Sequence, residues 1–190
     1  MAEYFHIFNM DTLETLGAIP NDEKFLLYAH VGSPQFIEAA RLMLPGSQWH
    51  NTRILSVGND CRASEKHKEL MDTVRTNAPD IYKKAFSFDE NENLTLNNIC
   101  CLLLPREIFG GEEIRFIFNH SLEEYIDLGQ IKDKANTPNP LGILTLVSET
   151  IDDKTKDITG LWCGHQLSSS DALAFNSYKK VSLDFLNETK

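Results

Sequence analysis

Several features that would announce a function are missing from this chain of 190 residues. No apolar run approaches the length of about twenty residues needed to cross a bilayer, so no membrane-spanning helix is expected. The amino end reads Met-Ala-Glu-Tyr-Phe-His-Ile-Phe, with no basic region ahead of a long apolar stretch, and no secretory leader is expected. Basic residues are scarce: 18 Lys and Arg stand against 28 Asp and Glu, a net charge of −10. Direct nucleic-acid binding needs a basic stripe against phosphate, so the balance argues against it. The four cysteines, Cys61, Cys100, Cys101 and Cys163, have the spacing of neither a disulfide framework nor a zinc knuckle. Reduced thiols in a cytoplasmic protein without metal or cofactor are the expectation. There is no Gly-x-Gly-x-x-Gly, no Gly-Lys-Ser phosphate loop and no Gly-x-Ser-x-Gly.

What is present is the pattern of a folded core. Eleven Phe residues supply bulk, and the length suits one globular domain over 1–190, with sub-parts at 1–86 and 94–190. Residues 3–9 read as a short strand, and residues 24–31, apolar on both faces, as a buried one. Ser33 then caps a helix with Pro34 at its first position, and Phe36, Ala40 and Met43 form its inner face. Residues 53–57 make the next strand, closed by Gly58, Asn59 and Asp60. Strand, helix and strand at this spacing predict a βαβ unit with parallel strands near the N-terminus.

A second helix is expected over 64–77, then strands at 94–104 and 113–119, the latter alternating with Ile114, Phe116 and Phe118 on one face. Ser121 and Glu124 have the spacing of a capping box, which predicts a short helix. Residues 131–140 read as a loop. Residues 141–165 look like a β-hairpin around a charged turn, central in the sheet. A second capping signal at Ser168, Ser169, Ser170 and Asp171 predicts a last helix bearing Ala174, Tyr178, Val181 and Phe185 on one face. The expected class is therefore α+β: one βαβ unit joined to a largely antiparallel sheet and closed by a C-terminal helix.

Chemistry has few candidate seats. Ser33, Asn59, Asp60 and Cys61 follow the carboxyl ends of the expected parallel strands, where ligands of open α/β sheets bind. Cys163 and His165 lie two residues apart on an expected strand and would share a face, as a nucleophile and its base or as half a metal site. Further metal ligands would have to come from Cys61, His67 or His120, whose spacing is not diagnostic, so no metal is expected. Acidic residues gather at 89–92, 112–113, 123–124 and 152–157, the last including Asp152, Asp153 and Asp157. Adjacent acids in loops are ordinarily a solvated surface, but together they can steer a basic partner.

Two stretches resemble known families. Ser33-Pro34, Ala39-Ala40 and Ser56-Val57-Gly58 fall in an order that resembles part of the patatin-like phospholipases. That family's Gly-x-Ser-x-Gly is absent, and Tyr28-Ala29-His30-Val31 stands where its catalytic Asp would fall, so the resemblance implies no activity. The element order from Leu94 onward resembles that of GAF-type sensory domains, which implies a small molecule held over the sheet. Three functional expectations follow. The first is binding of another protein, a basic one where charge guides the encounter, without catalysis, in the manner of inhibitor, immunity or regulatory proteins. The second is ligand sensing. The third is a hydrolase or transferase built on Cys163 and His165 or on the loop from Gly58 to Cys61.

Overall fold

The structure, a computed structural model, describes residues 5–12, 14–16, 31–58, 67–77, 86–88, 94–96, 101–102, 114–147 and 157–186. Its strands are β1 (Phe5–Asn9), β2 (Glu14–Leu16), β3 (Thr52–Gly58), β4 (Phe86–Phe88), β5 (Leu94–Leu96), β6 (Cys101–Leu102), β7 (Phe116–Asn119), β8 (Glu124–Asp127), β9 (His165–Ser170) and β10 (Lys179–Lys180). Its α-helices are α1 (Pro34–Leu42), α2 (Lys68–Asn77) and α3 (Pro140–Leu144). Eight strands form one sheet in the order β10-β8-β7-β9-β3-β1-β2-β6. The six from β8 to β2 pair antiparallel, and a parallel strand closes each edge. The α+β class holds, with a mostly antiparallel sheet.

Strand alternation sorts the sheet's side chains onto two faces. Ile7, Ile54, Ile117, Ile126 and Leu167 point one way and are fully buried. There they form one core with Phe36, Ala39 and Met43 of α1 and with Leu141, Ile143 and Leu144 of α3. Each such side chain contributes about 1.5–3 kcal/mol by leaving water. Phe116, Phe118 and Tyr125 point the other way, and Phe175 and Tyr178 cover them with ring centroids 5.0 Å (Phe118–Phe175) and 4.9 Å (Phe175–Tyr178) apart. Helix α1 begins as its sequence predicts: the Ser33 hydroxyl accepts from Phe36 N at 3.3 Å, and Pro34 occupies the first turn.

Four expectations need correction or placement. The first strand of the predicted βαβ unit, at 24–31, lies almost wholly outside the described residues. Its partner β3 is antiparallel to both β1 and β9, and among the described residues its parallel pairing is one bridge, Ser56 to Leu146.

Of the predicted hairpin over 141–165, residues 148–156 lie outside the described residues, and the rest is a short helix, α3, and a turn over 157–164 that leads into β9. Asn139 caps α3, its Oδ1 accepting from Leu141 N at 2.9 Å, with Pro140 in the first turn. The turn is bound by its backbone: Gly160 N donates to Ile143 O (2.9 Å), Trp162 N to Leu144 O (2.7 Å) and Gly164 N to Ile54 O (2.8 Å).

The Ser121 capping box starts no helix. Asn119 Oδ1 accepts from Ser121 N (3.0 Å) and Leu122 N (3.1 Å), folding the chain into the turn that pairs β7 with β8.

At the C-terminus, Ser168 and Ser170 stand opposite Phe118 and Phe116 in β9 rather than at a helix cap. The chain then runs irregularly to β10 and a 3-10 turn, Asp184–Leu186. Tyr178 packs on the sheet from this extended segment; the Phe185 side chain lies outside the described residues.

Candidate functional site

The residues singled out from the sequence do not converge. Ser33 is buried and its hydroxyl is engaged in capping α1. Asn59, Asp60, Cys61, Asp152 and Asp153 lie outside the described residues. Asp157 is exposed at the start of the turn before β9, and Cys163 is buried within that turn. His165 is half-buried as the first residue of β9. The shared face expected for Cys163 and His165 presupposed an extended strand. Gly164 between them has φ +73°, which breaks the alternation. Among the described residues no three His, Cys, Asp or Glu side chains are grouped as they would be to hold a metal ion.

Two polar clusters lie in the half of the sheet from β7 to β9. On the core face, where β7 turns into β8, Asn119 stands opposite Glu124 on one side and Leu167 on the other. Asn119 Nδ2 lies 3.0 Å from His165 Nδ1, and Trp162 Nε1 donates to Glu124 Oε2 at 3.0 Å. The two backbone N–H groups on Asn119 Oδ1 fix the orientation of its amide. The nitrogen must face His165, and an amide nitrogen can only donate. His165 Nδ1 is therefore the acceptor, and in the neutral ring the proton sits on Nε2. Burial holds the His165 pKa below the usual histidine range; the charge of nearby Glu124 opposes that, and the charge of His67 adds to it.

This arrangement has a chemical consequence. A Cys–His pair works as thiolate and imidazolium, and needs its histidine protonated or ready to take a proton. A neighbour that could orient an imidazolium would present an oxygen to Nδ1; Asn119 presents its nitrogen. The Nδ1 lone pair, the one a base would use, is taken by Asn119.

On the opposite face His120 bridges two hydroxyls, with Nε2 2.7 Å from Ser168 Oγ and Nδ1 3.0 Å from Tyr178 OH. Phe175 meets the imidazole edge-on at 5.0 Å. Burial, then the charge of His50, lowers the His120 pKa. The chain from Tyr178 through His120 to Ser168 has the connectivity of a nucleophile, a base and an orienting group. Ser168, however, is only 1 % exposed beneath this aromatic cover, which closes its hydroxyl to a substrate. The network ties the segment 171–178 to the sheet.

Sequence reasoning named His165 and, as a distant metal ligand, His120. It missed Asn119, Glu124, Ser168 and Tyr178 as their partners. The available signal was Asn119 itself, an Asn closing an alternating strand ahead of Ser121, which is the signature of an Asx turn. No protein family, curated protein or solved structure matches the chain.

Proposed function

We propose that this is an acidic cytoplasmic protein, folded as a single domain, that acts by binding another protein of complementary charge, in an inhibitory, immunity-type or regulatory role and without catalysis. The observation that carries the reading is the charge. Of 28 acids and 18 bases, the described residues hold twelve and nine, leaving sixteen acids and nine bases in the rest of the chain, Asp152 and Asp153 among them. The bases on the described sheet are partly committed: Arg53 pairs with Asp11 at 2.6 Å, Arg115 with Asp127 at 3.0 Å, and Lys180 approaches Asp127 at 3.8 Å. Excess acid outside such pairs projects a field that accelerates encounter with a basic surface. The Asn119 amide nitrogen on His165 Nδ1 occupies the lone pair that a general base would use, which supports the non-catalytic side of the reading.

The test is kinetic. A partner is isolated with the full chain as bait, and its association rate is measured at low and high salt for the wild type and for a double reversal, Asp152→Lys with Asp153→Lys. A steered partner associates about ten-fold or more faster at low salt, and the reversal removes much of that gain. The comparison uses the variant only once its circular dichroism and melting midpoint match the wild type. A rate indifferent both to salt and to the reversal reduces the charge to a solubility feature and refutes the proposal.

A further inference from the structure

We propose that Asn119 and His165 form a proton-sensitive clasp on the turn between β7 and β8, closed while His165 is neutral and opened when its Nδ1 gains a proton. Asn119 has three partners and no freedom to exchange them. Its Oδ1 is taken by Ser121 N and Leu122 N at 3.0 and 3.1 Å, and its Nδ2 lies 3.0 Å from His165 Nδ1. A proton on Nδ1 sets N–H against N–H. Rotating the amide to offer its oxygen to the imidazolium takes that oxygen from the two backbone donors. Protonation therefore costs either the bond to His165 or the two bonds that close the turn.

The groups facing His165 define the balance. Asn119 on β7 opposes the proton, and His67 at the start of α2 opposes it by like charge. Glu124 on β8 favours it, but one of its oxygens is held by the Trp162 indole. Across β3 the neighbour is Ile54, which is apolar and fully buried. The imidazolium, once formed, has its attraction in Glu124 and its repulsion in Asn119, so it is drawn from one side of the hairpin toward the other.

The two bonds to Asn119 Oδ1 are those that fold the turn back on β7. Glu123 sits there at φ +54°, a left-handed conformation that a non-glycine residue adopts only when its surroundings impose it. Neighbouring segments lean on it: Lys179 N donates to Glu123 O at 2.8 Å, anchoring the edge strand β10, and Gln166 N donates to Ser121 Oγ at 3.1 Å. Opening the clasp thus loosens the β10 edge while the buried strands β7 and β9 stay paired. The device is local and reversible, and it works on the acid side of the usual histidine range, because burial lowers the His165 pKa.

The experiment is nuclear magnetic resonance on the full chain, following the His165 ring and the amide protection of Ser121 and Leu122 from neutral pH down through the His165 titration, with Ile117 and Phe118 as internal controls. In the wild type, protection at Ser121 and Leu122 falls about tenfold as His165 takes its proton, the scale of one hydrogen bond, while Ile117 and Phe118 hold. In Asn119→Asp a carboxylate accepts both from the turn and from protonated Nδ1, so the His165 midpoint rises and the turn stays protected as pH falls. In His165→Gln the side-chain oxygen accepts from Asn119 without titrating, and protection becomes independent of pH. The proposal is overturned if wild-type protection is flat through the His165 titration, if Ile117 and Phe118 lose protection equally, or if His165→Gln keeps the wild-type pH dependence. An Asn119→Asp midpoint equal to the wild-type one also overturns it, and should that variant fail to fold, His165→Gln decides alone.

Discussion

Gly160 and Gly164 form a matched pair for testing how the turn before β9 is seated. Both have left-handed backbones, with φ of +71° and +73°. An alanine at either position therefore carries a similar conformational cost, about 1–2 kcal/mol. What the added methyl meets differs. At Gly160 it would lie 2.5 Å from the Leu146 carbonyl oxygen and 2.5 Å from Cε1 of His67, a buried ring whose nitrogens lie 2.8 Å from Val147 O and 3.3 Å from Gly160 O. At Gly164 it would meet the ends of the Leu70 side chain, at 2.8 and 3.0 Å, and these can turn away. Gly160→Ala adds overpacking of about 1–3 kcal/mol to the backbone cost. Its expected total is about 2–5 kcal/mol against about 1–2 kcal/mol for Gly164→Ala. In a chain of this size the difference lowers the melting temperature of Gly160→Ala by about 2–12 °C relative to Gly164→Ala. Parallel thermal and urea melts read it directly. Equal losses in the two variants would show that Gly160 is not wedged between α2 and the end of α3, and the docking of the turn described above would be wrong.

A buried hydroxyl pair offers a second, directional test. Thr145 Oγ1 donates to Leu141 O at 2.7 Å, so Ser56 Oγ, also at 2.7 Å, must be the donor to Thr145. Thr145→Val leaves the buried Ser56 hydroxyl without its acceptor, Leu141 O keeping the Thr145 amide at 3.0 Å, and costs about 1–3 kcal/mol, whereas Ser56→Ala removes only a donor and costs about 0.5–1.5 kcal/mol; urea midpoints that reverse this order contradict the network. pH should matter as well. His120 and His165 have folded pKa values lowered first by burial, so the unfolded chain takes protons more readily. Their contribution to stability is complete above the ordinary histidine pKa of about 6.5 and is lost as pH falls from there through the lowered values. His165→Gln should accordingly lose less stability than the wild type on going from about pH 7.5 to 5.5; an unchanged or larger loss contradicts the assignment. Asp127 acts in the same sense at lower pH. Arg115 holds its pKa down, with Gly129 N and Lys180 adding, so its contribution is present above the usual carboxylate range and fades as pH falls through the lowered value. Arg115→Gln should raise the Asp127 midpoint in a side-chain titration, and an unmoved midpoint would contradict the pairing.

The legible parts of the fold were those with a period or a cap of their own. The strand at 53–57 and the helix behind Ser33-Pro34 are both present, the strand extended by one residue at each end. Asn139-Pro140 is the same kind of start signal, yet the residues after it read as a strand. Leu141, Gly142, Ile143 and Leu144 are buried on every side, so the helix has no polar face and no helical period to display. The serines of β9 misled for the opposite reason. Ser168 and Ser169 look like cap residues, but their hydroxyls are satisfied across the fold, by His120 and by the Ala40 carbonyl. Tertiary partners of that kind leave no local trace. The same holds for the site: a histidine can be picked from a sequence, but whether its neighbour offers it an oxygen or a nitrogen depends on what else that neighbour binds, here the amides of residues 121 and 122.

The protonation of the His165 ring bears on both the non-catalytic reading and the clasp. Long-range nitrogen–proton correlation spectra of the full chain near neutral pH report each ring nitrogen separately. The geometry requires a bare Nδ1 and a protonated Nε2 on His165, with Nδ1 gaining its proton only below the usual histidine range. A ring protonated at Nδ1 at neutral pH, as the other neutral tautomer or as the imidazolium, would contradict that geometry and reopen the pairing of His165 with Cys163.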